Sequence, residues 1–230
     1  MRTHSQRNIS PGEQSAAQPL AADYSAGVLI DDVRRLLDGP RPLPLVLAGD
    51  PVLRTPAATY EFTLADDVWT ELIGAMRETM HAAPGVGLAA PQIGLGIRVA
   101  VLEDPATVSA ESAAERQRYP TAPRVLANPH YEAVDGPMAE FYEGCLSVPG
   151  YQAVVPRSSA VRLRGHNENG ALVDELVTGW AARIVAHETD HLNGVLYLDR
   201  ALTRSLSTAD NLIERWSGTP LPVIRERLHF

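Results

Sequence analysis

Apolar residues recur at helical spacing in three stretches of this chain and alternate in several others. In AGVLIDDVRRLLDG, Val28, Leu29, Val33, Leu36 and Leu37 share one face, which predicts a helix packed on the main body. From Thr63 to Ala83 a longer helix is expected. Thr63 and Asp66 have capping-box spacing, and Leu64, Val68, Leu72, Met76 and Met80 form its buried stripe. The methionines read as core filling. Thr178 to Leu192 predicts a third helix, ended by Asn193-Gly194, and Thr203 to Ser217 a last surface helix. Ile97 to Leu102 and Arg124 to Ala127 read as short strands, with Glu103 to Pro123 between them as a polar surface loop. Alternation in Val154 to Arg164 and in Ala171 to Val177 predicts antiparallel strands.

Strands in runs, interrupted by few helices, make the fold class α+β, with antiparallel β-sheets and not a repeating βαβ unit. Three regions are expected. Residues 1–42 form an N-terminal extension, partly disordered, with one short helix; Pro40, Pro42 and Pro44 make a stiff connector at its end. Residues 43–202 form the compact domain, and 203–230 a C-terminal helix and tail. Met1 to Leu20 is polar and aperiodic, the pattern of a disordered tail, with Arg2, Arg7 and several serines giving a faint likeness to an organelle transit peptide.

Charge and composition narrow the function. The chain has 230 residues, 20 basic and 28 acidic, for a net charge of -8, the wrong sign for a general nucleic-acid binder. Every basic residue is Arg, which excludes Schiff-base chemistry and a P-loop lysine. No apolar run approaches the roughly 18 residues of a membrane span. With Cys145 alone, no intramolecular disulfide is possible. An intracellular enzyme or binding domain is the expectation.

The sharpest chemical signal is His187-Glu188-Thr189-Asp190-His191, an H-E-x-x-H on a predicted helix. Residues four apart share a helical face, so both imidazoles can grip one metal ion, with the Glu188 carboxylate beside them. Two solvated surface histidines are the bland reading, but Trp180, Ile184, Val185 and Leu192 mark this helix as packed. A third ligand is needed. The long zinc-protease pattern requires His at position 197, where this chain has Tyr197; Glu214 lies on a polar helix; Cys145, in Glu143-Gly144-Cys145-Leu146-Ser147, remains as a candidate. Gly85-Val86-Gly87-Leu88-Ala89-Ala90-Pro91-Gln92 matches G-x-G-x-x-A superficially, but it follows a helix and runs into Pro91, so it reads better as an active-site wall than as a dinucleotide loop.

Taken together, G-x-G-L-A-A-x-Q at residues 85–92, E-G-C-L-S at 143–147 and H-E-x-D-H at 187–191 resemble the peptide deformylase family, and Gly49-Asp50-Pro51-Val52-Leu53-Arg54 is similar to its opening. The resemblance covers about Leu43 to Leu202. It implies antiparallel sheets around a central metal-binding helix, and hydrolysis of the formyl group from the N-terminal formyl-methionine of new polypeptides, releasing formate. The implied metal ligands are Cys145, His187 and His191, holding one divalent ion. Fe2+ is expected, and Zn2+, Ni2+ or Co2+ able to substitute. Glu188 becomes the proton carrier, with the Gln92 amide and the Leu146 backbone N–H as donors to the developing negative charge. Val86, Trp180, Arg183 and Ile184 are expected to line the methionine slot, the Arg183 stem on the wall and its guanidinium in water. Gly87 is expected to leave room for the formyl group, and Gly144 to allow close approach beside Cys145.

The implied partner is the formyl-methionyl nascent peptide in the cytoplasm, with transient ribosome contact and an organelle as the lesser alternatives. The C-terminal segment sets Arg215, Arg225 and Arg227 against Glu214 and Glu226, too weak a basic patch for docking. Two other functions remain open: an H-E-x-x-H zinc metallopeptidase, against which Tyr197 argues, and a non-catalytic metal-binding protein, against which the presence of Glu188 and Gln92 argues. Ala186 stands where the family usually has Gln, which predicts tuning around the metal. Asp190 is expected to pair with Arg157 and orient the ligand helix against the strands.

Overall fold

The computed structural model describes residues 26–230. The expected disordered tail and transit-like segment lie outside the described residues. The elements run α1 (Ala26–Leu37), α2 (Asp66–Ala82), β1 (Gly87–Ala89), β2 (Val99–Asp104), α3 (Ala110–Arg116), β3 (Thr121–Ala133), β4 (Met138–Cys145), β5 (Val148–Ser158), β6 (Ala160–His166), β7 (Leu172–Thr178), α4 (Gly179–Leu192), β8 (Ser207–Thr208), α5 (Ala209–Trp216) and α6 (Leu221–Leu228). All the strands named pair antiparallel, in two sheets: β1-β2-β3-β6-β7 and β4-β5-β8. The fold is therefore α+β, as expected. Helix α4 touches both sheets, meeting every strand of the first and β5 of the second.

One core lies between α1, α2 and strands β1 to β3, where Leu29, Val33, Leu72, Met76, Met80, Leu88, Val99 and Val101 are buried. The predicted stripe of α2 is the buried one. Burying such side chains contributes roughly 1.5–3 kcal/mol each. A second cluster seats α4 on β6 and β7 through Val161, Leu163, Val177, Ala182, Ile184 and Val185. No helix among the described residues is long and apolar enough to cross a membrane.

Several local expectations need correction. Val28 is 48% exposed while Leu29 and Val33 are buried, so the inner face of α1 is narrower than its sequence suggests. Thr63 does not cap α2; the helix starts at Asp66 after an extended Ala65 without a side-chain cap, and Asp66 and Asp67 face the positive end of its dipole. The loop expected at 103–123 contains α3, capped by Ser109 Oγ on the Ser112 N–H; none of its residues is buried, so it carries no apolar stripe to read. The run from Val154 to Arg164 is two strands in different sheets, divided at Ser159. The C-terminal helix begins only at Ala209, where Thr208 Oγ1 accepts from the Asn211 N–H, and α6 follows it.

Helix α4 stops where Gly194 turns to φ +72°, and a Cβ there would lie 2.7 Å from the Arg54 carbonyl oxygen. Gly74, by contrast, sits inside α2 with open space around it. Gly194→Ala is therefore expected to destabilise by about 1–3 kcal/mol and Gly74→Ala to stabilise by about 0.5–1 kcal/mol. Urea unfolding of the two variants beside the parent checks both signs.

Candidate active site

Cys145 ends β4, and the two-residue turn Leu146-Ser147 returns the chain into β5. His187 and His191 lie one turn apart on α4, with ring centroids 5.0 Å apart. Strand end and helix meet so that one ligand atom from each of Cys145, His187 and His191 lies within 4.8 Å of the others. Cys145 Sγ is 3.2 Å from His191 Nε2. Sulfur also receives the Ser147 N–H at 3.4 Å and the Gln92 amide Nε2 at 3.5 Å. The Gln92 carbonyl is fixed by the Ala89 N–H at 2.9 Å, which sets the direction of its amide donor.

The donor set fits a metal ion. One thiolate and two imidazoles suit several divalent transition metals and leave a fourth position open in tetrahedral coordination. His187 presents Nδ1 to Glu143 Oε2 at 3.0 Å, the carboxylate–imidazole pairing that orients metal-binding histidines. Glu188 lines the cavity, and its Oε2 is buried with no hydrogen-bond partner among the described residues, so one carboxyl oxygen is uncommitted. Burial pushes the Glu188 carboxyl up to about 7 against the opposing pull of His187 and Arg157. Burial works against the His187 cation, yet Cys145 and Glu143 together hold its pKa above the ordinary histidine value. Burial and the neighbouring His187 hold His191 below it.

A buried ion network fixes these elements. Arg157, on β5, grips Glu143 with Nε at 2.6 Å and Nη2 at 2.9 Å, and Asp190 with Nη1 at 2.8 Å. The expected Arg157–Asp190 pair is thus present. Arg200 adds two bonds to Asp190 at 2.7 and 2.8 Å, and Tyr131 donates its hydroxyl at 3.1 Å. Desolvation opposes ionisation of Glu143, but His187 and Arg157 outweigh it and keep the carboxylate well below its usual range.

A cavity of about 590 Å³ opens on this centre. Cys145, His187 and Glu188 lie on its wall, with His191 buried behind them. Gln92, Leu146, Val86, Gly87, Gly144, Trp180, Arg183 and Ile184 all line it, so the residues singled out from sequence converge on one pocket. Three of them sit there differently from expectation. The Arg183 guanidinium does not reach water; the residue is 4% exposed and bonds to Glu143 Oε1, the Val155 carbonyl at 2.9 Å and the Ala139 carbonyl at 2.6 Å. Its charge joins the network while the residue lines the cavity. The room at Gly87 is taken by the Glu188 carboxyl, since a Cβ there would stand 2.2 Å from Glu188 Oε1. At Gly144 the near neighbour is Gln152 on β5, 3.2 Å from where a Cβ would be.

Sequence reasoning passed over Glu143, although it lies within the motif read for its cysteine; a charged residue alternating onto a buried strand face was the available signal. It also passed over Arg116, Tyr142, Pro149, Tyr151 and Ala209 on the cavity wall. Tyr197, standing where a protease would have its third histidine, is buried and stacks near His187 with centroids 6.3 Å apart.

The family model described as polypeptide deformylase matches residues 42–206. Peptide deformylase 3 of Streptomyces avermitilis is 54% identical over 217 residues, covering 94% of this chain and 92% of its own. Peptide deformylase 1 of Streptomyces coelicolor is 56% identical over 189 residues, covering 82% and 87%. Among solved structures, a peptide deformylase from Synechococcus elongatus in complex with actinonin is similar at a TM-score of 0.60 and 34% identity, over 81% of this chain and 92% of that one.

Removing Arg157 leaves two buried carboxylates without their shared counter-ion. Arg157→Met is therefore expected to destabilise the fold by about 3–5 kcal/mol. Arg35→Met, which breaks the exposed pair with Asp32 on α1, is expected to leave the midpoint unchanged. Urea unfolding of both variants, with metal content fixed, measures the difference.

Proposed function

This chain belongs to the polypeptide deformylase family, and we propose a role for each residue of its cavity in that reaction. It is a metal-dependent hydrolase that removes the N-formyl group from nascent polypeptides. Cys145, His187 and His191 would hold its one divalent ion, for which Fe2+ is our assignment with Zn2+, Ni2+ or Co2+ able to substitute. When bound, the ion lowers the pKa of water towards roughly 7 and polarises a carbonyl. Glu188 accepts the proton of the water that adds to the formyl carbon, then delivers it to the departing amine, giving formate and a free N-terminus. The Gln92 amide and the Leu146 N–H donate to the formyl oxygen as its charge develops. Gly87, having no side chain, lets the Glu188 carboxyl lie against the wall where it can do this.

Val86, Trp180 and Ile184 with the Arg183 stem form the slot for the methionine side chain, and Gly144 contributes backbone to its rim. The observation that carries this reading is the Cys-His-His group beside an uncommitted carboxyl oxygen in one cavity. The reacting unit is residues 43–202, with 1–42 an N-terminal extension and 203–230 a C-terminal one. The setting is the cytoplasm, where formylated chains emerge from the ribosome, and any contact there is transient. Arg225 is engaged by Glu140 and the Phe230 carbonyl, which argues against docking through the C-terminal helices.

Anaerobically prepared, ferrous-loaded protein is expected to release formate from formyl-Met-Ala-Ser. Glu188→Ala is expected to lose at least about 10²–10⁴ of that rate with its metal content intact. Full turnover in Glu188→Ala overturns the assignment of the proton carrier, and cleavage of unformylated casein by the parent overturns the reaction class. Gln92→Leu is expected to lose about 10²–10³ in kcat.

A further inference from the structure

Three arginines surround Trp180 at the start of α4. The guanidinium carbons of Arg116, Arg118 and Arg183 lie 5.2, 5.4 and 5.6 Å from its ring centroid. Two of them have a carboxylate partner: Arg118 has a bidentate bond to Asp104, and Arg183 shares Glu143 with Arg157. Arg116 makes no ion pair among the described residues; Glu115, its sequence neighbour, is the carboxylate whose field it feels most. The Arg116 guanidinium packs on Trp180 and on Phe141, at 5.6 Å, and lines the cavity that holds Cys145, His187 and Glu188.

Its position is built, not incidental. Arg116 is the last residue of α3, and the next carbonyl, that of Gln117, accepts the Trp180 N–H at 3.2 Å, docking the end of α3 on the start of α4. Gly179, at φ +62°, permits the contact, since a Cβ there would stand 2.4 Å from that same carbonyl oxygen. The first turn of α4 holds no acidic residue, so the positive end of its dipole adds to the unpaired charge. Trp180 precedes His187 by seven residues, two helical turns or about 10 Å. Trp180 lines the methionine slot, so the guanidinium packed on its ring meets the residues that next follow methionine in an extended peptide.

We propose that Arg116 is a specificity-determining residue, which selects formylated peptides carrying an acidic side chain at the second or third position. This inference rests on the deformylase reading of the site. A carboxylate arriving along the cavity completes the one guanidinium at its wall that lacks a counter-ion, with Trp180 excluding water from one face of the pair.

The test compares kcat/KM for formyl-Met-Ala-Ser, formyl-Met-Glu-Ser, formyl-Met-Ala-Glu and formyl-Met-Ala-Arg on metal-loaded full-length protein. The parent is expected to favour at least one acidic peptide over the neutral one by about fivefold, the advantage shrinking as salt is raised. In Arg116→Gln the acidic-to-neutral ratio is expected to fall to about one, and in Arg116→Glu the basic peptide is expected to become the better substrate. Each ratio is taken within one variant, so a loss common to all peptides cancels. A parent ratio near one, or a ratio undiminished in Arg116→Gln, overturns the proposal and leaves the deformylase reading intact. Failure of the parent on all four peptides overturns that reading itself.

Discussion

The Arg157 guanidinium, lying on β5, bridges the strand that carries the cysteine and the helix that carries the histidines. Arg157 bonds Glu143, two residues before Cys145, and Asp190, one residue before His191, while Glu143 also bonds His187. Two carboxylates buried this deeply are tolerated only when paired, because an uncompensated buried charge costs several kcal/mol. The pairing restricts how β4 and α4 can meet, and in the arrangement it holds the three candidate ligand atoms converge. Apolar packing places α4 between the sheets, but packing is not directional; the ion pairs set which turn of the helix faces β4.

The cavity has the same logic at smaller scale. A glycine on β1 admits the Glu188 carboxyl, a glutamine held by the Ala89 N–H aims an amide at the cysteine, and Arg183 on the cavity wall gives its charge to the network. Arg183 lines the same cavity, yet its guanidinium is received by Glu143 and two strand carbonyls.

Much of this was legible in the sequence. The i, i+4 spacing of His187 and His191 on a helix with an apolar side, and the motif around Cys145, were enough to pick out three residues that the fold brings together. The Arg157–Asp190 pair was readable because an acid buried on a packed helix needs a cation. Other features were not readable. Helix α3 buries none of its residues, so no periodicity announced it. The division at Ser159 is invisible because the alternation of β5 continues into β6 although the two strands pair in different sheets. The role of Gly87 depended on what would meet its missing side chain, which only the assembled structure contains.

One sulfur and two imidazoles converge where β4 meets α4, a set that would hold one metal ion. Titrating the metal-free protein with Co2+ while recording its absorption spectrum tests this most directly, because a cobalt–thiolate bond adds a charge-transfer band that imidazole and carboxylate ligands do not. One ion per chain is predicted, with the thiolate band present in the parent and absent from Cys145→Ser. Binding without that band, or a band that survives Cys145→Ser, would contradict it.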